Sequence, residues 1–368
     1  MTRDTVNRTP MNVAIVGCGK IADAHVGELQ KMNDVRIVGV CDLEPLMAEQ
    51  IATRFGIEFY TDRIDDLLKR EPDVVHVTTP PRSHLPLAKR AMEAGAHVYV
   101  EKPLAMNLTE VEHLLSTAEK NNRLVTVGHS FAFDPVALAM RRLIDKGVLG
   151  DPVHVDSWFG YNLAGPFGAA ILADPQHWVH SLPGGLFHNN IDHMLNKISE
   201  FVPDDRPRML VHAFTRRRER FGDDRDRLLD ELRVTVGGER VTGSGVFTSA
   251  VQPVAQFARV YGTKNILHVD YNLRTVVIEK GVQLPSAIGR LLPEFGRGWA
   301  HHREGARNIF AFARSRFHFF AGMHELIRRF YGAIRGQEEL PIPYRDMRRI
   351  AWMMDTIFER ARSGEDGR

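Results

Sequence analysis

Apolar residues in the first third of the chain come in short unbroken runs rather than alternating with polar ones. The segments MNVAIVG (11–17), VRIVGVCD (35–42), PDVVHVTT (72–79), AHVYVEKP (96–103) and RLVTVGHS (123–130) are of this kind. Such runs read as strands buried on both faces. Between them lie stretches with helical spacing. Ile21, Ala24, His25 and Leu29 share a face, residues 44–56 close on a glycine, and residues 83–95 and 109–121 repeat the pattern. Thr61 is placed to cap a short helix through Lys69. Val- and Ile-rich strands alternating with helices predict a parallel sheet covered on both faces, a doubly wound (Rossmann) domain over residues 11–130.

The pattern then changes. Residues 152–161, 207–214, 231–249, 255–263, 266–271 and 273–280 look like strands joined by glycine-containing turns, with few helices between them. Helical periods recur near 135–146, 185–201, 300–335 and 345–362. The whole is α/β, a Rossmann sheet followed by an α+β domain over residues 131–368 with a large, mostly antiparallel sheet.

Composition narrows the partners. The 368 residues are 26% charged with a formal net charge of +2, so nothing polyelectrolyte points to nucleic acid. Only Cys18 and Cys41 occur, MTRDTVNRTP is no signal peptide, and no apolar run is long enough to span a bilayer, which together point to the cytoplasm. One region departs from the average. Residues 284–335 hold nine Arg, three Glu and nine aromatics, with neither Lys nor Asp. On a helix Phe310, Ala313, Phe317 and Phe320 would share one face, and Arg303, Arg307, Arg314 and His318 another. That arrangement fits a packing or subunit interface, a phosphate-binding lid, or a peripheral membrane contact through 300–320. The run RRRER (216–220) reads as a solvated loop.

The first strand ends in Gly17-Cys18-Gly19-Lys20-Ile21-Ala22, a G-x-G-x-x-A loop in strand-turn-helix context. Gly17 allows the tight turn, Gly19 lets the backbone through Lys20 and Ile21 approach a pyrophosphate, and Ala22 lets the helix pack closely. The helix N-terminus adds N–H donors. Asp42, at the end of the second strand, is suited to the adenosine ribose hydroxyls and repels a 2′-phosphate, so NAD is favoured over NADP.

TTPPRSH (78–84) followed by YVEKPLAMN (99–107) is more specific. With the glycine loop upstream, this pair resembles the glucose-fructose oxidoreductase / inositol dehydrogenase / rhizopine catabolism superfamily. The resemblance implies that Thr79, Pro80, His84, Glu101, Lys102 and Pro103 flank the cofactor, with Lys102 directed at the reacting carbon. It also implies a sugar or nucleotide-sugar substrate and a homo-oligomer. A lysine beside a cationic nicotinamide gives up its proton more readily, which suits exchange with a substrate hydroxyl.

Members of that superfamily carry a triple-glycine turn and an Asp-x-x-x-His pair at a later helix. LPGGLFHNNIDHMLN (182–196) puts Asn189 and His193 on those positions, one helical turn apart on a shared face. His188 points about 140° away from His193, so the two make no helical metal pair. No resident metal is expected. His193 suits removal of a hydroxyl proton. Asn189 positions but takes no proton, and Asp192 is turned about 100° from His193. Ser130 and Ala132 also replace the asparagine and arginine common in the family. The reading is an NAD-dependent dehydrogenase acting on a CH–OH group, with Lys102, His193 and Asn189 at the reaction. Two alternatives stand beside it: a redox-neutral enzyme with retained NAD, performing elimination, epimerisation or glycoside cleavage, and a non-catalytic dinucleotide-binding sensor.

Overall fold

The computed structural model describes residues 10–216, 228–281, 286–314, 317, 318 and 320–363. The polar leader and most of RRRER, residues 217–220, lie outside them. The chain forms two compact units, Met1–Gly128 with Met323–Met347, and His129–Gly322 with Arg348–Arg368. A boundary at 130 with everything later in one domain therefore misses a segment near the C-terminus that returns to the first unit.

In that unit β1 (Met11–Val16), β2 (Val35–Cys41), β3 (Tyr60–Thr61), β4 (Val74–Val77), β5 (His97–Val100) and β6 (Val125–Val127) form one sheet in the order β3-β2-β1-β4-β5-β6. Every pairing is parallel. Val13, Ile15, Val75, Val77, Val98 and Val127 are fully enclosed, because α1 (Ala22–Leu29), α2 (Pro45–Phe55), α3 (Ile64–Leu68), α4 (His84–Glu93) and α5 (Leu108–Lys120) cover the faces. Alternation was absent from the sequence because neither face meets water. Thr61 caps no helix. It lies in β3, and its Oγ1 accepts from Arg63 N at 3.1 Å while α3 begins only at Ile64. The strand order reverses between β1 and β4, and in open α/β sheets the crevice at that switch is where ligands bind.

The second unit holds α6 (Pro135–Asp145), β7 (Pro152–Gly160), α7 (Pro166–Ala173), α8 (Leu186–Asn190), α9 (Asp192–Ser199), β8 (Arg208–Phe214), β9 (Glu231–Gly237), β10 (Thr242–Thr248), β11 (Gln256–Gly262), β12 (Asn265–Asp270) and β13 (Thr275–Lys280). Its sheet runs β13-β12-β11-β7-β10-β9-β8, antiparallel except for β10 with β7. α9 lies close on this sheet. A Cβ on Gly243 would stand 2.7 Å from Ile198 Cγ2, and one on Gly245 would stand 2.8 Å from Met194 Sδ. These glycines let the helix come down onto the strands.

The region read as one helix over 300–335 is two, α10 (Ser286–Ala313) and α11 (Ala321–Ile334), followed by α12 (Tyr344–Ser363). Because α10 stops at Ala313, Phe317, His318 and Phe320 lie on no continuation of its faces. Instead the Arg274 guanidinium sits 4.9 Å from the Phe317 ring and donates to His318 O at 2.7 Å.

Candidate cofactor and substrate sites

The glycine loop follows directly from the packing of β1 beside β4. Gly17 has φ +97°, and a Cβ there would lie 2.6 Å from Thr79 Cγ2 and 2.8 Å from the Thr78 carbonyl carbon. Thr78 Oγ1 donates to Gly17 O at 2.5 Å, which ties the loop to the strand carrying TTPPRSH. Cys18 N donates to Asp42 Oδ2 at 2.6 Å and Glu44 N to Asp42 Oδ1 at 3.0 Å, so the carboxylate is fixed at the mouth of the loop. Nothing lies within 4 Å of a Cβ built on Gly19. Gly19, Lys20 and Ile21 are all reached by solvent, and α1 has no side-chain cap. An uncapped helix N-terminus behind an open glycine fits a dinucleotide pyrophosphate. Cys18 is buried, and its thiol is pushed up to about 12 by burial and then by Asp42, so it is inert filler.

TTPPRSH and the Glu-Lys-Pro turn are joined by His84. It is fully enclosed, with Nε2 2.7 Å from Thr79 O and Nδ1 2.9 Å from Pro103 O. Its pKa is lowered by burial, against the pull of those carbonyls. His84 thus holds two loops together from inside. Pro80 leads the short turn in which Ser83 Oγ donates to Thr79 Oγ1 at 2.8 Å. Lys102 is half-buried at the end of β5 and precedes a cis proline.

Glu101 anchors a buried chain that sequence reasoning missed. His25 Nε2 lies 3.0 Å from Glu101 Oε1, His25 Nδ1 lies 2.8 Å from His76 Nδ1, and His76 Nε2 lies 2.8 Å from Tyr331 Oη. The carboxylate only accepts, so His25 Nε2 is the donor to Glu101. Burial holds the His76 pKa well below its ordinary value, and His25 adds to this. Burial raises the Glu101 carboxyl, but His25 and Lys102 outweigh it and leave the net shift downward. The signal available in the sequence was His25 and His76, two polar residues on faces otherwise apolar.

In the second unit α8 and α9 nearly form one helix, interrupted at Ile191. Along it Asn189, His193 and Asn196 are the partly exposed positions, while Asn190–Asp192, Met194, Leu195 and Lys197–Ser199 are buried. Asn189 and His193 therefore share an accessible face. The His193 ring packs edge-on against Phe131, 4.7 Å between centroids, and stacks on Phe159 at 5.2 Å. His188 is buried and stacks on Phe358 at 5.1 Å. Asp192 points inward, accepts from His193 N at 2.8 Å and lies 3.6 Å from His129 Nε2. His177 and His180 have local roles. His177 caps a turn through Val179 N at 3.3 Å, and His180 Nε2 lies 2.8 Å from Ile171 O.

Lys197, one turn beyond His193, was not foreseen. It is 4% exposed, its ammonium has no hydrogen-bond partner among the described residues, and it lies 4.2 Å from the Tyr271 centroid and 5.7 Å from those of Phe131 and Phe159. Burial pushes the amine down to about 7, with Asp270 and Asp134 pulling the other way. Lys197 and His193 thus share an aromatic floor.

The first unit has the parallel, doubly wound sheet of a Rossmann domain. Residues 11–129 match the family described as "Oxidoreductase family, NAD-binding Rossmann fold". That family model is the one for the glucose-fructose oxidoreductase / inositol dehydrogenase / rhizopine catabolism family that the motifs resemble, and the match spans the first unit alone. It is 35% identical over 153 residues to D-glucoside 3-dehydrogenase of Escherichia coli strain K12, covering 40% of this chain and 43% of that one. The chain spans about half the length of the curated relatives it matches. Two solved structures share the whole fold. The dehydrogenase WlbA of Bordetella pertussis, in complex with NADH and UDP-GlcNAcA, superposes with TM-score 0.75 at 18% identity over 97% of each chain. UDP-N-acetylglucosamine 3-dehydrogenase GnnA of Acidithiobacillus ferrooxidans gives TM-score 0.72 at 16% identity, covering 96% of this chain and 98% of that one.

Proposed function

We propose that the protein is an NAD-dependent oxidoreductase moving hydride between nicotinamide and a secondary alcohol or ketone of a sugar or nucleotide sugar. The observation that carries this reading is the open glycine loop, fixed to Thr78 and Asp42 and backed by an uncapped helix, in the same unit as Lys102. Gly17, Gly19, Lys20 and Ile21 would hold the pyrophosphate and Asp42 the ribose, with Thr79, Pro80 and Glu101 beside the ring and His84 behind them. When bound, NAD supplies the hydride acceptor or donor. The single proton of the reacting hydroxyl would be exchanged by Lys102 together with His193, one holding the hydroxyl while the other takes the proton, and Asn189 would orient the sugar through a hydrogen bond. The relatives' names, a glucoside 3-dehydrogenase and a UDP-N-acetylglucosamine 3-dehydrogenase, support the sugar class. A homo-oligomer working on the cytoplasmic NAD pool, where Cys18 and Cys41 stay reduced, completes the reading.

Lys102→Ala is expected to abolish turnover while leaving NAD affinity within about threefold, since the lysine acts in the reaction rather than in dinucleotide binding. Retained turnover removes Lys102 from the chemistry. Substrate is found by thermal shift across a panel of nucleotide sugars with NAD present, because a ligand of the native state raises its apparent stability. Asn189, which cannot take a proton, favours a second reading in which NAD is retained in a redox-neutral reaction or serves a sensor. Tightly bound NAD with sugar conversion but no net NADH favours the redox-neutral form, and binding without conversion favours the sensor.

A further inference from the structure

α10 buries one face against β13 and leaves the other bare. On the inward face Glu304 is enclosed, accepting from Val276 N at 3.3 Å and pairing with Arg307 at 2.7 Å. On the outward face Leu292, Phe295, Trp299 and Ile309 are 52%, 77%, 74% and 73% exposed. Leu292, Phe295, Trp299, His302, Ala306, Ile309 and Ala313 recur at alternating steps of three and four residues, which makes them one straight seam about 30 Å long. Phe310 borders the seam beneath the Arg314 guanidinium, 3.6 Å from its centroid. An apolar strip of this size on a water-facing helix marks a surface that something covers.

Charge selects the occupant. From Leu292 to Arg314, the residue that follows α10, the chain carries four arginines against two glutamates, and both carboxylates already face arginines, Glu294 at 3.0 Å from Arg297 and Glu304 at 2.7 Å from Arg307. Arg303, Arg307 and Arg314 line one edge of the seam. A second copy laid on the seam would bring these cations against their own kind. A bilayer surface with anionic headgroups meets both needs, accepting Phe and Trp at its acyl boundary and Arg among its phosphates. No helix among the described residues is long and apolar enough to cross a membrane, so the contact lies in the plane of the surface.

We propose that the outward face of α10, centred on Phe295, Trp299 and Ile309 and edged by Arg303 and Arg314, binds the surface of an anionic membrane. This inference is independent of the catalytic reading and uses none of its residues.

The full chain is tested by sedimentation with phosphatidylcholine vesicles, with and without phosphatidylglycerol. It should bind only the vesicles that contain phosphatidylglycerol, and added salt should weaken the binding. A Phe295→Ser/Trp299→Ser variant should bind at least about tenfold more weakly, and Arg303→Gln/Arg314→Gln should lose binding with a flatter salt dependence. NAD affinity and the thermal midpoint of both variants should match the parent, which separates loss of the surface from loss of folding. Trp299→Phe should still bind but lose part of the blue shift in tryptophan emission on vesicle addition. Three results overturn the proposal: no binding to phosphatidylglycerol vesicles, binding that the double serine variant retains, or a solution dimer that the same variant dissociates, which would assign the seam to a second copy.

Discussion

The ammonium of Lys197 lies over Tyr271 with no hydrogen-bond partner among the described residues, while its neighbour one turn earlier, His193, is partly exposed. A buried ammonium without a hydrogen-bond partner costs several kcal/mol, partly offset here by Asp270, Asp134 and the aromatic rings. The sign of its pH dependence follows from the lowered pKa. Below about 7 the amine is charged in folded and unfolded chains alike and the burial cost is fully present; as pH rises from there toward the ordinary 10.5, the folded state sheds its proton first and the cost is relieved. Lys197→Met should therefore stabilise the protein, by about 1–4 kcal/mol, and more at pH 6 than at pH 9. Urea titrations at the two values measure this, and a gain that grows with pH contradicts it.

Among the elements, the β1–α1 turn is tightly constrained. Its positive φ and its contact with Thr78 and Thr79 leave no room for a side chain at Gly17. Gly17→Ala should lower stability by about 1–3 kcal/mol and weaken NAD binding by at least about tenfold, read by calorimetric titration. Unchanged affinity would mean that this loop does not hold the dinucleotide. α10 presents the opposite situation. Its helical period was visible in the sequence, but an amphipathic pattern names two faces without saying which one a sheet will cover. β13 covered the face with Glu304, and the more aromatic side was left outward. The length of the helix was misread because the arginine-rich period continued past Ala313, where the backbone turns.

Across the whole molecule, acid should be the weak side. His76 and His84 are neutral in the core, held below the ordinary 6.5 by burial. Above about 6.5 the unfolded chain is neutral at these sites as well; as pH falls below it, the unfolded state gains protons that the folded state refuses, and stability drops. The thermal midpoint should fall between pH 6.5 and 5, and His76→Phe should flatten the slope while lowering the midpoint at pH 7, since it leaves His25 and Tyr331 without their buried partner. An unchanged slope would show that His76 is not the group involved. The Rossmann sheet, the glycine loop, Asp42 and the shared face of Asn189 and His193 were all legible in the chain, because strand runs, helical period and turn chemistry are properties of neighbouring residues. The Glu101–His25–His76–Tyr331 chain was not. It joins residues as far as 255 positions apart, and no local period encodes such a pairing. Nor was the aromatic floor under His193 and Lys197, which gathers Phe131, Phe159 and Tyr271 from a short turn, a strand and a loop. Sequence alone determined the alternation of strands and helices in the first unit and the glycine loop that suits a dinucleotide. Packing between distant segments decided which polar residues are enclosed, and enclosure sets their protonation.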